Sequence, residues 1–305
     1  MLSARHIGEE AEGAALSLPL AHGPVFEAFY SYVVVDEPAV HLMPLHFLPV
    51  SSRERVDEGS LQDLAVAAKF EYARNRWLDE LADKPSSAYG LSAGHRLNEA
   101  LLSLIRSRYS RVLDGPVAAT FFSLLANLYA CYGLSLVLDS TWCRNPTSAM
   151  GLHEYAEHAR MRHGPVRASM DAVLLLVGAD DELLERARSS WHSWALGVQF
   201  YDDALDIEED FRDRNLSWTV ARALEYSGAY PEYPGTPVPG VQDAFYEMAL
   251  REGVIHETLE HAGSFFDEAA RLAEPEFPGW VTYQRACASR VKHLREDYEK
   301  LLAGA

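Results

Sequence analysis

The sequence predicts an all-α protein, a single large helical bundle of about ten helices. Three observations carry this. Apolar residues recur at helical spacing in one segment after another. No convincing run of alternating strand residues separates those segments. Hydrophobic residues make up 48% of 305 positions, enough for a sizeable core.

The first 59 residues carry no clear pattern. Tyr30–Val35 (YSYVVV) is rich in β-formers but short and isolated, and is assigned to a helix or an irregular N-terminal piece. Residues 60–83 place Leu61, Leu64, Ala65, Ala68 and Tyr72 at helical spacing. The run from Pro85 to Gly90 ends that helix. Helices follow over 95–112 and 116–138, the latter opened by Asp114-Gly-Pro, and then over 151–177, 181–212, 241–272 and 280–302. Gly164-Pro165 should kink the 151–177 segment. Ser227–Gly240, rich in Pro and Gly, reads as a loop. With no internal repeat and no low-complexity linker, residues 1–305 are expected to form one domain.

The charge balance narrows the function. With 27 basic and 45 acidic residues the net charge is −18. A diffuse positive surface for nucleic acid is therefore excluded. An anionic substrate must be held by metal ions or by a small local set of Arg and Lys. Cys131, Cys143 and Cys287 build neither a disulfide framework nor a CxxC motif, which fits a reducing cytoplasm. The first twelve residues carry acids where a signal peptide needs a basic start. Gly115 to Leu138 holds no charge over 24 positions, long enough to span a bilayer. It contains Thr120, Ser123 and Asn127 and has no basic flank. No transmembrane span is expected; the segment should be a helix buried on all sides.

Two acidic clusters carry the chemistry. Trp77 to Asp83 (WLDELAD) places Asp79, Glu80 and Asp83 as DExxD. Gln199 to Asp210 (QFYDDALDIEED) places Asp202, Asp203 and Asp206 as DDxxD. Positions i and i+4 share a helix face, so Asp79 with Asp83 and Asp202 with Asp206 each form a carboxylate pair. Like charges at that spacing cost a few tenths of a kcal/mol in an isolated helix, which a divalent cation removes. Hard oxygen ligands without His or Cys suit Mg²⁺. Behind each pair the helix turns apolar or aromatic: Tyr72 before Asp79, Trp194, Val198 and Gln199 before Asp202. That gradient is what a central oily pocket with a metal-lined mouth needs.

At these residues the chain resembles the class I isoprenoid synthases, the superfamily of trans-polyprenyl diphosphate synthases, squalene-synthase-like enzymes and class I terpene cyclases. LGVQFYDDALDIEED, Leu196 to Asp210, resembles the second aspartate-rich motif of polyprenyl synthases, and WLDELAD takes the place of the first. Arg162-His163-Gly164 stands where such enzymes carry a diphosphate-binding Lys-Thr-Gly, so the cation is kept as Arg162. The likeness covers roughly residues 60–225 and is also similar to bacterial terpene synthases whose first motif is degenerate.

The resemblance implies the isoprenoid synthase fold and a mechanism. Three Mg²⁺ ions, held by Asp79 and Asp83 on one helix and Asp202 and Asp206 on another, would bind the diphosphate of a linear allylic C10–C20 substrate, with Glu80 and Asp203 completing the candidate metal set. Metals and Arg162 would stabilise the departing diphosphate. Arg295 and Tyr298 near the C-terminus would cover it. Tyr72, Phe121, Phe122, Trp194 and Gln199 are candidates for the pocket wall, where aromatic faces would shield the allylic cation. Many such enzymes are dimers, so a homodimer is an expected partner state.

The departures are informative. Chain-elongating synthases carry a Gly-Lys-x-x-Arg-Pro-like motif upstream and an Arg-Arg-Gly after the first aspartate motif, both for isopentenyl diphosphate. Only Ser51-Ser-Arg-Glu-Arg55 and Gly94-His-Arg96 stand near those places. The Asn-Ser-Glu metal motif of terpene cyclases is absent as well. The expected activity is therefore a Mg²⁺-dependent terpene synthase that ionises a prenyl diphosphate. The alternatives are prenyl transfer to another acceptor, chain elongation, head-to-head condensation, or a non-catalytic subunit of a prenyl synthase.

Overall fold

A computed structural model describes residues 4–18, 24–34, 38–83, 91–139, 151–213, 215–227 and 241–304. Among these, no strand occurs. The helices are α1 (Ala4–Leu16), α2 (Pro24–Val34), α3 (Pro38–His41), α4 (Met43–His46), α5 (Glu58–Asp83), α6 (Leu91–Val112), α7 (Gly115–Leu138), α8 (Leu152–Arg162), α9 (Ala168–Leu176), α10 (Asp181–Leu205), α11 (Ile207–Asp213), α12 (Trp218–Ser227), α13 (Val241–Arg251), α14 (Val254–Ala273) and α15 (Pro278–Gly304). The chain groups into two compact units. One comprises Met1–Tyr132, His163–Glu185 and Pro275–Trp280; the other comprises Gly133–Arg162, Arg186–Glu274 and Val281–Ala305.

Local signals explain most helix ends. The Asp57 carboxylate accepts the Ser60 N–H at 2.9 Å and caps α5. Asp180 does the same for α10 through the Leu183 N–H at 2.8 Å. Glu154 reaches back to the Gly151 N–H at 2.9 Å before α8, one half of a capping box. The Gly164-Pro165 break falls as predicted, as a 3₁₀ turn over Gly164–Arg167 between α8 and α9. The YSYVVV segment lies largely in α2. Ser227 ends α12, and residues 228–240 of the expected loop lie outside the described residues.

Three expectations need correction. The helix expected over 241–272 is two helices, because Gly253 adopts φ +76°, a left-handed conformation that glycine takes without a Cβ penalty. The helix expected over 181–212 bends at Asp206 into α11, with the Asp206 and Asp210 N–H groups still bonding four residues back. The segment 116–138 is one helix, as expected, but it is not buried on all sides. Only 28% of its most apolar stretch is buried, although it is long and apolar enough to cross a membrane. Phe121, Leu125, Leu128 and Tyr132 pack inward, while Leu134 and Val137 are more than half exposed. Small neutral residues together with Leu134 and Val137, not charges, occupy its open face, which the hydropathy pattern cannot tell from a buried one.

The helix enclosed on nearly all sides is α5, the centre of the first unit. Leu64 through Glu71 are all buried, and α1, α2, α3, α4, α6 and α9 pack around them. Ala65, Ala67 and Ala68 let these neighbours approach closely. Arg108 of α6 binds both Glu10 of α1 and Asp63 of α5, the latter at 2.7 Å. Phe47 stacks against Phe277 and Trp280, with ring centroids 5.2 and 4.7 Å away, and closes the unit around α4.

In the second unit, α10 packs on α14. Ser190 Oγ donates to the Ala269 carbonyl at 2.7 Å. Phe200 lies parallel to Phe265 and is surrounded by Tyr155, Trp218 and His261. At Gly197 a Cβ would stand 2.7 Å from the Phe266 ring, closer than any packing tolerates. Gly197→Ala should therefore destabilise the protein by about 1–3 kcal/mol in urea unfolding. Gly263→Ala on α14, whose Cβ would meet Val291 at an ordinary 3.6 Å, should be neutral or stabilising by up to about 1 kcal/mol.

Candidate functional site

The first acidic motif closes α5. Asp79 is half-buried. Tyr132 Oη of α7 lies 2.7 Å from Asp79 Oδ1 and 3.0 Å from the Asn75 carbonyl oxygen, so one hydroxyl proton serves two acceptors on α5. Tyr132 thus fixes the direction of the Asp79 carboxylate. Glu80 and Asp83 follow on the same helix, but their side chains lie outside the described residues.

The second motif divides its carboxylates by helical phase. Asp202 and Asp206, one turn apart, are exposed. Asp203, about 100° further round the helix than Asp202, is 4% exposed. It accepts three hydrogen bonds: from Tyr155 Oη at 2.7 Å, Gln199 Nε2 at 2.9 Å and the Trp218 N–H at 2.7 Å. Burial raises its pKa, and the Tyr155, Gln199 and Trp218 donors pull the other way. Asp203 therefore joins α8, α10 and α12 and sets the phase of α10, which turns Asp202 and Asp206 outward. Gln199 serves that anchor. Asp210, one turn past Asp206, accepts from Asn215 at 2.9 Å, and burial pushes its carboxyl up to about 7.

The expected cations are already engaged. Arg162 donates to Asp139, and His158 Nε2 sits 2.8 Å from the other Asp139 oxygen. Arg295 lies 2.7 Å from His256 Nε2. Tyr298 bonds to Tyr246, and burial raises its pKa. Of the expected wall residues, Phe121 is enclosed by Tyr109 and Phe122, at 4.5 and 5.5 Å between centroids. Trp194 is buried beside Trp191, and half-buried Tyr72 meets His41 edge-on. The tyrosine partners of Asp79 and Asp203 carried no local sequence signal, because they come from other helices. Only the Gln199–Asp203 pair, at i and i+4, was legible.

No family model matches the sequence, nor does any curated protein. Solved structures do. A polyprenyl synthase from Caulobacter crescentus CB15, complexed with calcium and isoprenyl diphosphate, superposes with a TM-score of 0.76 at 16% identity over 94% of each chain. A geranylgeranyl pyrophosphate synthetase from Geoglobus acetivorans gives 0.75 at 19%, over 94% of this chain and 97% of its own. A heptaprenyl diphosphate synthase from Staphylococcus aureus gives 0.75 at 13%, over 94% and 98%. The fold is that of the polyprenyl synthases. The class I isoprenoid synthase architecture expected from the two aspartate motifs is thus present over nearly the whole chain, well beyond residues 60–225.

Within this polyprenyl synthase fold the donor chemistry fits Mg²⁺. No three His, Cys, Asp or Glu side chains converge on one ion position among the described residues. Mg²⁺ needs no such cage: one or two carboxylates, waters and substrate phosphate oxygens complete its shell. The outward pair Asp202 and Asp206 offers that partial set.

The electrostatics predict a pH signature. Folded Asp210 holds its proton to about pH 7, whereas an unfolded Asp releases it near 4. Its folded pKa is the higher, so the folded state binds more protons in that window and stability falls as pH rises through it. In metal-free buffer, Asp210→Asn should flatten the decline of unfolding free energy between about pH 4 and 7, measured by urea titration at fixed ionic strength.

Proposed function

We propose that the protein is an enzyme that ionises a linear allylic prenyl diphosphate, releasing diphosphate. The observation that carries this is the division of labour in the DDxxD motif: Asp203 is locked by three donors, and that lock turns Asp202 and Asp206 outward as a carboxylate pair. An acidic run that only solvated a surface would have no use for a buried anchor costing desolvation. The polyprenyl synthase fold and the isoprenyl diphosphate and divalent metals named in the Caulobacter crescentus and Corynebacterium glutamicum structures point to the same substrate class.

The chain's own residues bind and orient. Asp202 and Asp206, and Asp79 with Asp83, are the proposed hard oxygen donors. Tyr132 fixes the Asp79 carboxylate, and Tyr155, Gln199 and the Trp218 N–H fix the phase of α10. Mg²⁺, when bound to these carboxylates, supplies positive charge that stabilises the departing diphosphate. In a protein of net charge −18 that charge has few other sources, since Arg162 and Arg295 already have partners.

Terpene synthase activity is the first reading, because the cations expected for a second diphosphate are not at their places in the sequence. Prenyl transfer, including chain elongation, is the second. It is favoured by one observation: the similar structures named above are a polyprenyl synthase, a geranylgeranyl pyrophosphate synthetase and a heptaprenyl diphosphate synthase. Incubation with geranyl, farnesyl and geranylgeranyl diphosphates, with and without isopentenyl diphosphate, separates them. Mg²⁺-dependent diphosphate release that isopentenyl diphosphate leaves unchanged supports the synthase. Longer diphosphates formed only with isopentenyl diphosphate support elongation. Asp202→Ala and Asp79→Ala should each lower the release rate by about 10²–10³-fold, comparable to losing one preorganised electrostatic contact in other enzymes. Release unaffected by either substitution would refute the proposal.

A further inference from the structure

Under Asp79, where the first unit is expected to offer hydrocarbon, α5 is polar. Glu71, Asn75 and Asp79 stand at i, i+4 and i+8, one face of the helix. Opposite them α7 places Tyr129 at Glu71 and Tyr132 at Asp79. Glu71 is fully buried; Tyr109 Oη approaches it at 2.9 Å and Tyr129 Oη at 3.4 Å. The Arg74 guanidinium lies 4.1 Å above the Tyr129 ring, its Nε donating to Asn98 at 2.8 Å. Asn75 between them is 6% exposed, and neither its Nδ2 nor its Oδ1 has a partner among the described residues. A buried amide left in that state costs about 1–3 kcal/mol per group. An unpartnered donor and acceptor one turn from a buried carboxyl, with Cβ atoms about 5–6 Å apart, match the needs of a single bound water, which takes two to four polar partners.

Resting on the proposed ionisation of a prenyl diphosphate, we infer that Asn75 and Glu71 hold a water beside the substrate's hydrocarbon chain, so that the product is an alcohol. The site lies about 6 Å (Asn75) and about 12 Å (Glu71) from Asp79 along the helix axis. The allylic C–O bond breaks, and its electron pair leaves with the diphosphate. The cation, at its original or a rearranged carbon, accepts a lone pair of the water oxygen and a new C–O bond forms. The resulting oxonium gives one proton to Glu71. Burial raises the basicity of that carboxylate, against the hydrogen bond from Tyr109 and the charge of Arg74. Arg74 and the two tyrosines act as positioning residues.

The test is turnover of farnesyl and geranyl diphosphates with Mg²⁺ in ¹⁸O-labelled water. Released diphosphate and extracted products are both quantified, and boiled protein controls for solvolysis. The expected result is an ¹⁸O-labelled alcohol, absent from the boiled control, accounting for most of the released diphosphate. In Asn75→Leu and Glu71→Gln the labelled alcohol per diphosphate released should fall at least tenfold in favour of hydrocarbon, while Asn75→Leu melts no lower than the unsubstituted chain. A merely structural Asn75 would lower the melting temperature and leave the product ratio alone, which overturns the inference. Hydrocarbon from the unsubstituted protein overturns it as well while leaving prenyl diphosphate chemistry intact. No diphosphate release from any substrate overturns the ionisation reading and this inference together.

Discussion

A carboxyl group cannot remain inside a helical core without a donor, and this protein meets that constraint repeatedly with tyrosine. Tyr132 serves Asp79, Tyr109 and Tyr129 serve Glu71, and Tyr155 serves Asp203. A phenol suits the task because its ring packs like any aromatic while its hydroxyl donates one well-placed hydrogen bond. Each bond also ties one helix to another: α7 to α5, α6 to α5, α8 to α10. The polar bonds that make burial tolerable therefore also set helix phase, and the phase of α10 decides which aspartates of DDxxD face outward.

That coupling separates anchors from ligands within motifs that look uniform as text. Asp202, Asp203 and Asp206 are equivalent as letters, yet a rotation of about 100° places Asp203 among aromatic rings and leaves its neighbours exposed. The cations show a similar economy. Arg162 and Arg295 lie where the resemblance expects diphosphate binders, but each is already engaged, with Asp139 and His256. In so acidic a chain, exogenous cations are the natural counter-charge for an anionic substrate.

Much of this was legible from residue order alone. The all-α class and the long helices α5, α6, α7, α10 and α15 followed from apolar spacing, the α8–α9 break from Gly164-Pro165, and the isoprenoid synthase fold from the resemblance at the two acidic motifs. The failures have physical causes. Gly253 breaks a helix through a positive φ that no pattern of apolar residues records. The short helix α12 went unrecognised between an acidic run and a Pro-rich stretch. The mistaken burial of α7 came from counting charges: its open face is neutral but exposed, while charged and polar side chains of α5 are buried. Glu71 passed unnoticed because its partners lie 38 and 58 residues away, on two other helices. Asn75 gave no signal either, since what matters about it is a missing partner for its buried amide.

The aromatic closure of the first unit has a consequence for how the chain is made. Phe47 is covered by Phe277 and Trp280, about 230 residues further along. Val50 N–H bonds the Glu276 carbonyl beside them, so backbone as well as rings waits on that late segment. At about 5–20 residues per second, a nascent chain carries Phe47 for roughly 10–50 s before its cover leaves the ribosome. All of the second unit but Val281–Ala305 is synthesised within that interval. The first unit thus begins folding early and finishes late, and its uncovered aromatic edge is where a chaperone would have to stand guard.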